Sequence, residues 1–165
     1  MSKVVVFGAG LVTRPLVRFL LDQPDIELVV ATRTVSKAEK MIDGHPRGTA
    51  KKLDVEDLAG MEAEIKAADV VVSLVPYAYH VTVAKFCIKH KKQMVTTSYV
   101  SDEMKALDAE AKEAGVMLLN ECGLDPGIDH MSAMRIIHDV EGRGGKVVSF
   151  RSSTGALPAH EANTN

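Results

Sequence analysis

Hydrophobic positions fall into short continuous runs, separated by longer segments in which they recur every three or four residues. Lys3-Val-Val-Val-Phe7 is the first run. It leads directly into Gly8-Ala-Gly10 and predicts a buried strand that ends in a tight turn. Val12, Leu16, Phe19 and Leu20 then follow at helical spacing and predict a helix with one apolar stripe against a sheet. Pro15 lacks the N–H needed beyond a first turn, so a helix already begun by Leu11 would be distorted there.

The alternation repeats. A second strand is expected at about 27–32, and Ser36-Lys-Ala-Glu39 after it matches a helix capping box. A weak strand near 49–53, a charged helix near 56–67 and a buried strand at 69–74 come next. Val81, Ala84, Phe86 and Ile88 predict a helix without defining its inward face. A strand at 94–97 passes through Ser98 and Tyr99 to a helix beginning near Ser101, with Met104, Leu107, Ala111 and Ala114 on one side and Gly115 as its stop. A strand at 116–119 follows. Asp125-Pro126-Gly127 introduces a last helix through Met131, Met134, Ile137 and Val140, and 146–154 predicts an additional strand.

Strand and helix in regular alternation predict an α/β fold of the Rossmann type: a doubly wound, mainly parallel sheet with helices on both faces. The 165 residues allow one domain and are too few for a closed barrel of eight units. Residues 1–141 are assigned to a dinucleotide-binding domain. Residues 145–165 are assigned to an edge element or the start of a truncated substrate and dimerisation domain; a complete small domain with a loose tail is the competing assignment.

Composition removes other classes. At 46% hydrophobic and 25% charged, the chain has the balance of a folded globular protein rather than a disordered one. Twenty basic against 22 acidic side chains give a formal charge of -2, so no broad positive field exists to attract nucleic acid. No apolar run approaches about 18 residues, the N-terminus lacks a signal-like pattern, and two cysteines make no disulfide framework. The expectation is a cytoplasmic protein with neither a nucleic-acid nor a membrane partner.

Gly8 and Gly10 supply two of the three small positions of the dinucleotide fingerprint, directly after a strand and before a helix. The first permits the turn, and the second lets backbone donors approach a pyrophosphate at the helix N-terminus. Thr13 departs from the small third position, and a turn whose glycines merely permit packing is the alternative. At the end of the second strand, Thr32-Arg33-Thr34 offers a guanidinium and no carboxylate. Arg33 can bond a 2′-phosphate, where an acidic residue would favour a ribose hydroxyl. NADP(H) is therefore preferred and NAD(H) remains possible, with an exposed, solvated arginine as the alternative. Asp54 can approach the adenine edge or stand as a solvated loop carboxylate. Val75 and Tyr77, around Pro76, can line the nicotinamide side or form a rigid packed turn.

Ser98 and Tyr99, just past a strand, can orient a polar substrate, although Tyr99 can equally anchor the next helix. Asp125 can bind an amino group or guide proton transfer, while turn formation explains Asp-Pro-Gly without chemistry. Asp129 and His130 lack an established metal-ligand constellation, so no metal is expected. Cys122 lacks an activating neighbour in sequence and reads as a packing residue.

Five segments together carry a resemblance: Gly8-Ala-Gly-Leu-Val-Thr-Arg-Pro15, Ala31-Thr-Arg-Thr34, Ser73-Leu-Val-Pro-Tyr77, Val95-Thr-Thr-Ser-Tyr99 and Gly123-Leu-Asp-Pro-Gly-Ile-Asp-His130. They resemble the amino-terminal part of the glutamate-forming saccharopine dehydrogenase, or saccharopine reductase, family. The resemblance implies NADP(H)- or NAD(H)-linked interconversion of saccharopine with glutamate and 2-aminoadipate 6-semialdehyde in lysine metabolism. It places Gly10, Leu11, Val12 and Thr13 at the pyrophosphate, and Thr32, Arg33 and Thr34 at the adenosine end. It sets Leu124, Asp125 and Pro126 at the nicotinamide side, and Ser98, Tyr99 and Asp125 around saccharopine. Family members usually carry Tyr-Cys-Gly-Gly-Leu-Pro-Ala-Pro where this chain has 153–160, with Thr154 in place of the cysteine, and Thr164 where an aspartate is customary. They continue for several hundred residues into a domain that binds substrate carboxylates and helps dimerisation. A cofactor-binding portion with NADP(H) affinity and little turnover is therefore expected, with a homodimer for the full-length form. A nucleotide-responsive interaction module without catalysis is the alternative.

Overall fold

A computed structural model describes residues 1–153 and 155. Its strands are β1 (Ser2–Phe7), β2 (Ile26–Thr32), β3 (Gly48–Lys52), β4 (Val70–Ser73), β5 (Gln93–Thr96) and β6 (Leu118–Leu119), in the order β3-β2-β1-β4-β5-β6. Every neighbouring pair is parallel. The expected doubly wound sheet is present, and its order reverses between β1 and β4, the place where such sheets open a ligand crevice. The helices are α1 (Thr13–Asp22), α2 (Val35–Ile42), α3 (Leu58–Ala67), α4 (His80–His90), α5 (Asp102–Lys105), α6 (Asp108–Ala114) and α7 (Ile128–Gly142).

Successive side chains of a strand point to opposite faces, and here both faces are apolar. Val5, Phe7, Val29, Ala31, Val71 and Met94 pack with Met61 and Ile65 of α3 and with Val83, Ala84 and Cys87 of α4. Val4, Val6, Leu28, Val30 and Val72 pack with Val17 and Leu21 of α1 and with Ala38 and Ile42 of α2. This two-sided burial explains why the strands read as continuous apolar runs rather than alternating ones.

Several expectations change. Helix α1 buries Thr13, Val17 and Leu21, flanked by the half-buried Leu16 and Leu20, while Val12 and Phe19 are exposed. At 3.6 residues per turn Phe19 stands roughly 200° around the axis from Val17, so both cannot face the sheet. The helix begins at Thr13, which places Pro15 in the first turn, where its missing N–H breaks no intrahelical bond. The capping box at Ser36 does not form: α2 starts at Val35 after Thr34, and Ser36 lies inside its first turn.

Ser101 does cap a helix, its Oγ accepting the Met104 N–H at 3.1 Å, but the single helix expected from there is divided into α5 and α6. Strand β6 is confined to two residues. No strand forms at 146–153; Thr154 and the expected features at 156–165 lie outside the described residues. Helix α7 forms, yet Met131, Met134 and Ile136 on it are exposed. Among the described residues no helix is long and apolar enough to cross a membrane.

Candidate functional site

Strand β1 delivers the chain to Gly8, whose φ of +110° disfavours other residues. A Cβ there would stand 2.6 Å from the Leu74 carbonyl oxygen, so the turn can approach the end of β4 only as glycine. Gly10 differs: a Cβ on it would meet no heavy atom within 4 Å and would project into open space. Thr13 is fully buried, and its Oγ1 accepts the Gly10 N–H at 3.0 Å. Its own N–H donates to the Gly10 carbonyl at 3.3 Å. The third fingerprint position thus holds the loop through a hydroxyl. Leu11 and Val12 turn their side chains to solvent, and among the described residues their backbone N–H groups have no protein acceptor. Two free donors at the start of α1 form a site of partial positive charge suited to an anion.

Beside this loop lies a crevice of about 280 Å³. It gathers Gly8, Gly10, Thr32, Arg33, Thr34, Asp54 and Val75, seven of the residues singled out from sequence, together with Pro76. Leu11, Val12, Thr13, Tyr77, Leu124, Asp125 and Pro126 are not among its lining residues. Arg33 and Thr34 are exposed, and Arg33 pairs with no carboxylate among the described residues. Asp54 is exposed, and its Oδ1 accepts the Glu56 N–H at 3.1 Å in a local turn contact.

Lys37, in the first turn of α2, also lines the crevice and was not anticipated. Its signal was available, because a second cation four residues beyond Arg33 reaches the same strand end when a helix starts between them. The crevice therefore presents two cations, neither of them paired with a carboxylate among the described residues.

A second group of residues lies past β4, β5 and β6. The Tyr99 hydroxyl donates to Asp125 Oδ1 at 3.1 Å, and this bond holds the phenol above its ordinary pKa of 10.0. Both side chains are exposed, so both remain open to a ligand. Asp125 is presented by a closed turn: Gly123 N–H donates to the Pro126 carbonyl at 2.9 Å and Ile128 N–H to the Gly123 carbonyl at 2.9 Å. The Asp125–Pro126 peptide is cis. A Cβ on Gly127 would fall 2.2 Å from the Gly123 carbonyl oxygen, which explains the second glycine of the motif.

Tyr77 is exposed and meets the His80 ring edge-on at 6.2 Å. His80 itself, absent from the expectations, is buried between Ser73 and Ser98, 2.8 Å from each hydroxyl. Leu124 is exposed and Pro126 buried.

Asp125, Asp129 and His130 each offer an atom within 4.8 Å of the others. Asp129 Oδ1 is engaged by His130 Nδ1 at 2.8 Å and by the Gly127 N–H at 2.9 Å, as expected of a carboxylate at a helix start. The bond to Asp129 raises the His130 pKa above its ordinary 6.5. Cys122 is half-buried with Sγ 3.5 Å from the Asn120 carbonyl.

Comparison with known proteins agrees with this geometry. Residues 4–119 match the family model described as the saccharopine dehydrogenase NADP binding domain, and residues 123–165 the model of the saccharopine dehydrogenase C-terminal domain. The chain is 47% identical over 164 residues to saccharopine dehydrogenase (NADP(+), L-glutamate-forming) of Pyricularia oryzae, covering 99% of this chain and 36% of that protein. Its counterpart in Schizosaccharomyces pombe is 44% identical over 165 residues, covering 100% of this chain and 37% of that one. The solved apo saccharopine dehydrogenase (L-Glu forming) of Saccharomyces cerevisiae superposes with a TM-score of 0.77 at 37% identity, over 87% of this chain and 32% of that chain. The chain thus spans about a third of the length of these relatives.

Proposed function

The chain belongs to the saccharopine dehydrogenase family, and we propose that it is the NADP(H)-holding part of an enzyme that interconverts saccharopine with glutamate and 2-aminoadipate 6-semialdehyde. The observation that carries this reading is the single crevice that joins a glycine turn at the switch point of the sheet to Arg33 and Lys37. A pyrophosphate fits the space that a Cβ on Gly10 would fill, within reach of the free N–H groups of Leu11 and Val12. Arg33 and Lys37 are placed for a 2′-phosphate, with Thr32 and Thr34 beside them. Asp54 and Val75 line the same crevice and are assigned to the adenosine and nicotinamide sides, respectively.

When bound, the nicotinamide supplies hydride transfer at the carbon–nitrogen bond of the substrate. The chain's own residues bind and orient. Ser98, Tyr99 and Asp125 form the substrate side, with Leu124 and Pro126 flanking it. Tyr99 donates to Asp125 and so fixes one carboxylate oxygen, leaving the other to receive an ammonium group or a proton. Thr13 and Gly10 hold the loop in shape. No protein nucleophile is needed, which agrees with the half-buried Cys122 and with Cys87, whose burial raises its thiol pKa to about 12. Two free cysteines suit a reducing compartment, and the cytoplasm is the reading adopted.

Calorimetric titration of saccharopine into the NADP⁺-loaded chain tests the substrate side. Binding that weakens roughly tenfold or more in Asp125→Asn supports the assignment, on the scale of a lost charged hydrogen bond. Equal binding by both forms contradicts it.

A further inference from the structure

One buried titratable side chain stands between the two halves of the site and has no part in the scheme above. His80 is 4% exposed and opens α4. Its Nδ1 lies 2.8 Å from Ser73 Oγ at the end of β4, and its Nε2 lies 2.8 Å from Ser98 Oγ just past β5. Leu74, Val75 and Pro76, which follow Ser73, line the dinucleotide crevice. Tyr99, which follows Ser98, bonds Asp125. One imidazole therefore ties the cofactor-side loop to the substrate-side loop.

The chemistry of the ring restricts what Ser98 can do. Burial lowers the His80 pKa below its ordinary 6.5, so the ring is neutral near pH 7, with one N–H and one lone pair. A neutral ring donates from one nitrogen and accepts at the other, so its two nitrogens impose opposite roles on the serines they face. Thr96 Oγ1 donates to the Ser73 carbonyl at 2.9 Å, leaving only lone pairs towards His80, 3.3 Å from Nδ1 and 3.4 Å from Nε2. No other side-chain hydroxyl competes for the two nitrogens among the described residues.

We propose that His80 is a positioning residue which, through the bond between its Nε2 and Ser98 Oγ, fixes the direction of the Ser98 hydroxyl so that this group meets saccharopine with one defined donor or acceptor role. The inference rests on the reading of Ser98 as a substrate group. It explains why a polar residue occupies the inward face of α4, which is otherwise formed by Val83, Ala84, Cys87 and Ile88 and where a hydrophobic side chain would pack without hydrogen-bonding demands.

Two amide substitutions separate this role from a merely structural one. Glutamine places its amide near the position of Nε2 and retains a partner for Ser98. Asparagine places its amide near the position of Nδ1 and retains only the partner for Ser73. Wild type, His80→Gln and His80→Asn are each titrated with NADPH and, loaded with NADP⁺, with saccharopine. The expected result is unchanged NADPH affinity in all three, a roughly threefold to tenfold loss of saccharopine affinity in His80→Asn, and recovery in His80→Gln. Wild-type affinity in His80→Asn, or equal losses in both variants, overturns the inference while leaving the substrate assignment in place. A wild-type chain that binds NADPH and no saccharopine overturns that assignment and this inference together. Should either variant fail to fold, ¹⁵N resonances of the wild-type His80 ring decide: saccharopine is expected to move the Nε2 signal, and an unmoved signal in a saccharopine-saturated chain overturns the inference.

Discussion

Thr13 Oγ1 accepts the backbone N–H of Gly10 at 3.0 Å, and Thr13 returns its own N–H to the Gly10 carbonyl at 3.3 Å. This reciprocal pair closes the loop between β1 and α1 and commits the Gly10 donor to the protein. Among the described residues the donors that remain for the proposed pyrophosphate are those of Leu11 and Val12. Thr13→Val keeps the shape and removes the acceptor, leaving the Gly10 N–H without its partner. It is expected to lower stability by about 1 kcal/mol and NADPH affinity roughly fivefold. Thr13→Ser, which keeps the hydroxyl, should restore most of both, as read by thermal unfolding and calorimetry.

The two glycines of the loop should fail in different ways. Gly8→Ala forces a side chain into a φ of +110° and against the Leu74 carbonyl, so its first effect is loss of folding stability. Gly10→Ala meets open space, so the chain should fold normally and bind NADPH at least tenfold more weakly, because the methyl would occupy the place proposed for the pyrophosphate. Parallel unfolding and NADPH titrations distinguish the two. Normal affinity in a folded Gly10→Ala would remove the pyrophosphate from this loop.

The strands were the most legible part of the chain because both sheet faces are buried, and Val4, Val5 and Val6 therefore announce β1 without ambiguity. Helix faces were less legible. In α1 apolar spacing alone does not say which of two overlapping stripes meets the sheet, and the stripe that includes Phe19 leaves that residue exposed. His80 is hidden for a related reason: Val81, Ala84, Phe86 and Ile88 define no inward face for α4, whereas the buried Val83, Ala84 and Cys87 put His80 on it. The glycine turn and Arg33 were readable because each carries its chemistry locally. Ser73 required the fold, since only the sheet brings its strand beside His80, whereas Lys37 is legible once a helix start is set between it and Arg33. The two-residue β6 and the break between α5 and α6 had no local signal strong enough to set their bounds.

Arg33 and Lys37 should control which dinucleotide is held. Replacing either by alanine removes a cation that a 2′-phosphate would meet and that a ribose hydroxyl would not. Each change is expected to weaken NADPH binding about tenfold or more while altering NADH binding little. The NADPH loss should shrink at high salt, because both groups are exposed. Equal losses for the two dinucleotides would place the cations elsewhere in recognition.

His80 should make stability depend on pH in one direction. Its folded pKa is lowered by burial, so in the unfolded chain, near the ordinary 6.5, it binds a proton more readily. The contribution is complete above that value and is lost as pH falls through the folded pKa, because protonation then favours the unfolded state. Urea unfolding from about pH 7.5 to about pH 5 should show a smaller decline in His80→Gln than in the wild type. Identical declines would mean that the ring does not titrate differently on folding.

The central claim is that the loop of Gly8 and Gly10 and the cations of Arg33 and Lys37 together hold one NADP(H) molecule. Titration of the 165-residue chain with NADPH and then NADH, followed by nicotinamide fluorescence, tests it directly. The account predicts one saturable site for NADPH, with NADH bound at least tenfold more weakly. A folded chain that leaves the fluorescence of both dinucleotides unchanged up to roughly millimolar concentration would contradict it.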